Sequence, residues 1–371
     1  MLVEKEKIKT IALKSELSAG DIYFLLSLED PDEIKFLGEI AYALKKDHVS
    51  NTVFFRGLIE FSNICTKDCF YCGIRKSNDL PRRFLMTKQE IVDAAIFAHS
   101  NHYGSVVLQS GERADGMFTG FVCDVVRTIK DKTEGKLGIT LSCGEQNDET
   151  YKMFFAAGAH RYLLRIESSD REFYKMLHPS DRHHDFDTRL NCLRSLKEIG
   201  YQVGTGVMVG LPFQNREHLV KDLLFLKQID ADMVGLGPYI EHSQTPLYGY
   251  RDQLWPQQER LIMTLKMIAI LRILMKDINI ASATALQAID GFGRERALKV
   301  GANIIMPGLT PRVHRKDYLL YEDKPCIDED REECKDCLEI RIKLAGDKIG
   351  YDTWGDSKHF INRNHKTHLY V

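Results

Sequence analysis

Three cysteines, Cys65, Cys69 and Cys72, stand in the run Ile64-Cys65-Thr66-Lys67-Asp68-Cys69-Phe70-Tyr71-Cys72-Gly73. Thiolates at such close spacing are typical ligands of iron–sulfur clusters. Three of them on a four-iron cubane leave one iron without a protein ligand, and an open iron is where a substrate or cofactor can coordinate. A structural zinc site takes four protein ligands, usually in two pairs separated along the chain. No fourth ligand lies near, because His99 and His102 fall in the next predicted helix.

A second compact triplet, Cys326, Cys334 and Cys337, sits near the C-terminus. Its spacing suits a second cluster, again with one vacancy. The charged residues around it, Asp328 to Asp336, predict a solvent-facing loop and a peripheral, dispensable cluster. Of the remaining cysteines, Cys123 and Cys192 lie on helical patterns and are expected as core thiols. Nine cysteines in a chain expected to be cytoplasmic argue for metal or redox chemistry rather than disulfides. That location is expected because the charged start, Met1 to Lys7, carries no signal region. No apolar run approaches the ~20 residues needed to span a bilayer. A net charge of −2 gives no polyanion-binding signature, so neither nucleic acid nor an anionic membrane is expected as a partner.

The elements that must position these residues follow from periodicity. Residues 1–50 read as helices (10–17, 19–28 and 32–46), forming an N-terminal helical segment. From residue 53 onward, apolar β-rich runs alternate with amphipathic stretches, the pattern of a parallel sheet with crossover helices. Eight strands are predicted: 53–61, 104–109, 136–142, 160–167, 202–208, 231–236, 279–283 and 302–306. Helical patterns between them include 88–99, 217–228 and 258–276. Eight βα units over residues 51–308 predict an α/β fold, a (β/α)8 TIM-type barrel; six units with a separate C-terminal piece are the alternative. Residues 309–371 read as a C-terminal extension carrying the second triplet.

In such barrels the active site forms at the C-terminal ends of the strands. The cysteine run directly follows the first strand. The second ends in Gln109-Ser110-Gly111-Glu112, offering an amide and a carboxylate beside a glycine that permits close backbone approach. The third ends in Thr140-Leu141-Ser142-Cys143-Gly144-Glu145. In the fourth, alternation places Arg165 and Glu167 on one face, where burial is costly unless they pair or bind a ligand. The glycines of the fifth, Gly204 and Gly206, suit close packing against a flat ring such as adenine, although strand packing alone can demand them. Arg189, in the preceding helix, is either a surface residue or a planar fork for a carboxylate.

The Cys-x3-Cys-x2-Cys spacing with Tyr71 before the last cysteine resembles the signature of radical S-adenosylmethionine (SAM) enzymes. Further stretches resemble the HydE family of FeFe-hydrogenase maturases: Ile59-Glu60-Phe61-Ser62-Asn63, Leu108-Gln109-Ser110-Gly111-Glu112, Arg161-Tyr162-Leu163-Leu164-Arg165, Met208-Val209-Gly210-Leu211-Pro212 and Gly301-Ala302-Asn303-Ile304-Ile305-Met306-Pro307. The likeness runs from about residue 15 to the C-terminus and includes the Cys326-x7-Cys334-x2-Cys337 spacing.

The resemblance implies that Cys65, Cys69 and Cys72 hold a 4Fe–4S cluster whose fourth iron chelates SAM. Tyr71, Gln109, Glu112, Glu167, Arg189, Met208, Met233 and Tyr321 match cofactor-binding positions. Thr140, Ser142, Arg165, Thr284 and Tyr318 match positions around the substrate cavity. It further implies a radical acting on a small precursor during assembly of the dithiomethylamine-bridged diiron centre. The implied partners are that small molecule, a reductant protein such as ferredoxin or flavodoxin, and other hydrogenase maturases. Two residues depart from the family pattern: Ala283 stands where a second threonine is expected beside Thr284, and Cys143 replaces an aliphatic residue. A methylornithine- or biotin-synthase-like enzyme is the alternative within enzymes, and an iron-carrying scaffold the alternative outside them. The C-terminal triplet counts against the first, the polar strand ends against the second.

Overall fold

The computed structural model describes residues 2–329 and 331–368, without the side chains of residues 2–3, 332–334, 336 and 365–368. Eight short strands line its core: β1 (Thr52–Ser62), β2 (Ser105–Ser110), β3 (Gly138–Ser142), β4 (Arg161–Leu163), β5 (Gln202–Val209), β6 (Met233–Pro238), β7 (Asn279–Ser282) and β8 (Ile304–Ile305). Each pairs in parallel with the next, and β8 pairs with β1, so the ring closes into a (β/α)8 barrel. A ninth strand, β9 (Lys348–Ile349), adds in parallel outside the start of β1.

The helices start and stop where local chemistry requires. Thr87 and Glu90 form a capping box that opens the helix Lys88–Ser100, satisfying its otherwise orphaned first amides. Gly158 and Gly200, both at positive φ, end the helices Asp148–Ala157 and Phe186–Ile199 in the left-handed conformation that glycine adopts without strain. The helix Gln257–Leu274 is buried on nearly every side from Arg260 to Ile273. It is enclosed by the barrel wall and the N-terminal helices Ala19–Leu26 and Pro31–Val49, which is why its apolar pattern is not one-sided.

Three expectations fail locally. The first helix is Leu2–Ala12, so only the start of the predicted 10–17 segment is helical. Strand β4 ends at Leu163, and the chain returns to β5 only in a lone parallel bridge at Glu167, whose left-handed backbone (φ 64°) interrupts the predicted extended run. The region around the second triplet is a loop only as far as residue 329, Cys326 included, and from Arg331 it is the helix Arg331–Leu344.

The C-terminal residues reach both ends of the barrel. At its floor, the Gly355 carbonyl accepts from Arg56 Nη2 (3.0 Å) and Asn279 Nδ2 (2.9 Å). Asp356 Oδ1 accepts from Arg161 Nη1 (2.7 Å). At its mouth, Lys324 Nζ lies 2.6 and 2.8 Å from the two Glu60 carboxylate oxygens and 3.1 Å from the Tyr318 carbonyl. No helix among the described residues is long and apolar enough to cross a membrane.

Candidate functional site at the barrel mouth

The cysteine loop leaves the end of β1 and is fastened to the end of β2. The Glu112 carbonyl accepts from the Thr66 backbone amide (2.9 Å), while the Glu112 amide points back at Cys65 Sγ (3.3 Å). The Lys67 amide points at the same sulfur (3.4 Å). Gly111 permits this approach, since a Cβ there would collide with the Ile64 carbonyl and with Cys65. Burial raises the pKa of all three thiols, that of Cys69 to about 12. Thiolates in this setting need a positive partner, and backbone N–H groups aimed at a sulfur are the second shell that tunes an iron–sulfur centre. The hydroxyl of Tyr174 is buried without a hydrogen-bond partner among the described residues, a donor left over beside the loop. This donor set fits a cluster. Among the described residues no three His, Cys, Asp or Glu side chains converge on one ion position.

Behind the loop lies a buried four-charge network. Lys67 Nζ contacts Glu112 Oε1 (3.1 Å) and Glu145 Oε2 (2.7 Å). Arg189 contacts Glu145 through Nε and Glu112 through Nη2 (3.5 Å). Side-chain exposure of the four is only 5–12 %, so Arg189 is no surface residue. Two cations face two carboxylates, and the carboxylates divide the benefit unequally. Burial pushes Glu112 above the ordinary carboxylate range, whereas for Glu145 the Arg189 and Lys67 charges outweigh burial and lower it. Lys67 and Glu145 carried no role in the sequence reading. A lysine between two ligand cysteines and a carboxylate at a strand end were the available signals.

On the fourth strand's extension, Arg165 and Glu167 do share a face and form a two-pronged pair, Nε–Oε1 2.7 Å and Nη2–Oε2 2.8 Å. Arg165 Nη1 also donates to the Gly235 carbonyl (2.8 Å), and the Arg165 carbonyl accepts from Arg189 Nη1 (3.0 Å). Burial opposes the charge on Arg165, but the contact with Glu167 more than compensates and holds the guanidinium pKa above its ordinary value. The space in front of Gly206 is filled by this guanidinium and by Gly235, not left open for a flat ring.

The remaining sequence candidates divide into two levels. Gln109 Nε2 donates to the Tyr318 hydroxyl (3.3 Å), and Tyr318 continues into the segment that brings Tyr321 to the mouth. Ser142 ends β3, and Thr284 opens the helix Thr284–Ile289 after β7, accepting from Arg294 Nη2 (3.2 Å). Arg294 was not anticipated; its Nε and Nη1 are buried with no hydrogen-bond partner among the described residues. Tyr71 and Met208 pack together against Phe173, Leu211 and Tyr239. Met233 and Thr140 stand apart from this group. Met233 begins β6, four residues before Gly237, or about 13 Å lower along a strand. It accepts from Arg56 Nη1 at Sδ (2.7 Å), and Thr140 Oγ1 accepts from Arg161 Nε (3.0 Å). Both line a lower cavity with Arg56, Leu163, Asn279 and Met306.

Of the second triplet, Cys326 is half-buried at a left-handed backbone position and Cys337 is exposed. The side chain of Cys334 lies outside the described residues. Cys143 is fully buried, as are Cys123 and Cys192.

Comparison with known proteins agrees with this geometry. Residues 59–226 match the family model described as the radical SAM superfamily. The chain is 43% identical over 335 residues to the FeFe-hydrogenase maturase subunit HydE of Thermotoga maritima, covering 90% of this chain and 92% of that protein. It is 27% identical to the 3-methylornithine synthase of Methanosarcina acetivorans, over 85% of this chain and 86% of that one. A crystal structure of methylornithine synthase superposes with a TM-score of 0.79 at 25% identity, covering 93% of this chain and 98% of the other.

Proposed function

Since this chain belongs to the HydE family of radical SAM hydrogenase maturases, we propose that Cys65, Cys69 and Cys72 hold a 4Fe–4S cluster at the barrel mouth and that SAM binds over it. When bound, the reduced cluster supplies the electron that splits SAM into methionine and a 5′-deoxyadenosyl radical. The chain's own residues bind, orient and exclude water. Glu112 and Arg189 offer a carboxylate and a planar cation to the methionine end of SAM, with Gln109, Tyr71, Glu167, Met208 and Tyr321 around the remainder. Arg165, Ser142, Thr284 and Tyr318 face the substrate, and the lower cavity with Thr140 and Met233 gives it depth inside the barrel. The substrate is a small sulfur- or iron-bearing precursor of the dithiomethylamine-bridged diiron centre. A reductant protein such as ferredoxin or flavodoxin delivers the electron, and other hydrogenase maturases take the product. Cys326, Cys334 and Cys337 form a second, peripheral cluster site.

The observation that carries the reading is the pair of backbone amides, Glu112 and Lys67, aimed at Cys65 Sγ from the end of β2 and from the loop itself. A surface thiol loop has no need of such donors. Anaerobic reconstitution with iron and sulfide, dithionite reduction and assay for 5′-deoxyadenosine test it. The wild type is expected to release 5′-deoxyadenosine and methionine. Cys65→Ser, Cys69→Ser and Cys72→Ser should each release none, and wild-type output from any of them would refute the assignment.

A further inference from the structure

The segment that follows the helix Arg171–Met176 runs alongside the cysteine loop and hydrogen-bonds to it residue after residue. The Leu177 carbonyl accepts from the Phe70 amide (3.0 Å). His178 Nε2 meets the Tyr71 hydroxyl (3.2 Å). The His183 carbonyl accepts from Lys67 Nζ, and His184 Nε2 accepts from the Asp68 amide (2.9 Å). Positions 67, 68, 70 and 71, four of the five between the three cysteines, are thereby tied to residues 177–184.

Chemistry fixes the form of both imidazoles. His184 Nδ1 contacts Asp181 Oδ1 (2.7 Å), and a backbone amide can only donate to Nε2, so the ring carries its proton on Nδ1. His178 Nδ1 meets the Tyr174 carbonyl (2.8 Å), which can only accept, so this ring too is protonated on Nδ1; burial keeps the ring neutral, so its bare Nε2 receives the Tyr71 proton. Tyr174 stacks on His178 at 4.0 Å, and His178 lies 5.7 Å from His184, so the two rings are braced against turning. Both histidines are buried.

We infer that His178 and His184 are positioning residues for the cluster. Through their bare Nε2 atoms, His184 on the Asp68 backbone amide and His178 on the Tyr71 hydroxyl, they hold the cysteine loop in ligand-ready shape before iron arrives. This rests on the cluster assignment above, and the loop's shape without iron can be measured independently of it. A preformed ligand loop loses less chain freedom when its cluster forms than a loose one does.

The test compares His184→Leu, which lacks the acceptor, with His184→Gln, whose side-chain oxygen restores one at about the Nε2 position. In the cluster-free full chain, His184→Leu should speed hydrogen exchange at the Asp68 amide about tenfold, the loss of one buried hydrogen bond, with the barrel strands unchanged. In the reconstituted protein it should shift the electron paramagnetic resonance g-values of the reduced cluster and hasten iron loss to a chelator. His184→Gln should return all three toward wild type. Wild-type exchange, g-values and iron loss in His184→Leu would overturn the inference, as would a His184→Gln variant no better than His184→Leu. Failure of the wild type to take up iron at all would count against the cluster reading alone, because the exchange measurement needs no iron.

Discussion

Arg165 and Glu167 show what a single pair of residues contributes at this mouth. Alternation along the predicted fourth strand put them on one face, and they clasp each other there. The pair can be purely structural or can open to receive SAM and substrate, and the two cases separate by measurement. Glu167→Ala should weaken SAM affinity by roughly ten- to a hundredfold, on the order of 1–3 kcal/mol for a hydrogen bond lost in a desolvated site. Arg165→Ala should leave SAM affinity nearly intact and depress turnover of the substrate. Titration calorimetry with SAM and product analysis read the two effects. An equal loss of melting temperature in both variants, with unchanged kinetics in the folded fraction, would leave the pair a brace and nothing more. The burial of Lys67, Glu145, His178 and His184 was beyond the reach of the sequence for a common reason. Lysines, glutamates and histidines in turns ordinarily face water, and only the approach of segments 78 and 116 residues apart buries these. Removing Glu145 by Glu145→Leu should cost about 3–5 kcal/mol, since it leaves two buried cations, Lys67 and Arg189, sharing the single carboxylate of Glu112. Urea unfolding measures this, and a cost below about 1 kcal/mol would mean that water screens the network.

Among the elements, the strands were legible where alternation is regular and illegible where function bends the chain. Strands β1, β2 and β5 fall within a residue or so of their predicted bounds, while β4 is cut short at the turn that carries Glu167. That turn is held from outside by the helix Arg216–Gln228. Asp222 on this helix accepts from the Ser169 amide (2.7 Å) and hydroxyl (2.6 Å) through Oδ1, while its Oδ2 has no hydrogen-bond partner among the described residues. Burial raises its pKa to about 7 in the fold, against about 3.9 in an unfolded chain. Between those values the folded state keeps a proton that the unfolded state has released, so this group's contribution to stability falls as pH rises from 4 to 7. Asp222→Asn keeps an oxygen for Ser169 and removes the titration. The variant should therefore gain on the wild type, by a few kcal/mol on the order expected for such a shift, as pH rises across this interval. Parallel denaturation curves at pH 4, 5.5 and 7 test the sign, and a constant difference between the two proteins would refute it.

At the scale of the whole molecule, the C-terminal residues predicted as an appendage turn out to bind both ends of the barrel. Nothing in their composition announced this, because Gly355 works through its backbone carbonyl and Lys324 reads as one more surface charge. Lys324 fastens the segment from Tyr318 onward to Glu60 inside the mouth, and Cys326 follows two residues later. Two variants separate this strap from the proposed second cluster site. Lys324→Met should impair 5′-deoxyadenosine formation and destabilise the fold by about 3–5 kcal/mol, since it leaves the buried Glu60 charge unpaired. The double variant Lys324→Met/Glu60→Gln should recover the stability and not the activity, since a loosened strap admits water whatever the charge beneath it. The triple variant Cys326→Ser/Cys334→Ser/Cys337→Ser leaves Lys324 in place and should lose iron yet keep most SAM cleavage. A triple variant that retains its first cluster, binds SAM normally and turns nothing over would make the second site part of the reaction path, and the strap would then carry electrons as well as close the mouth.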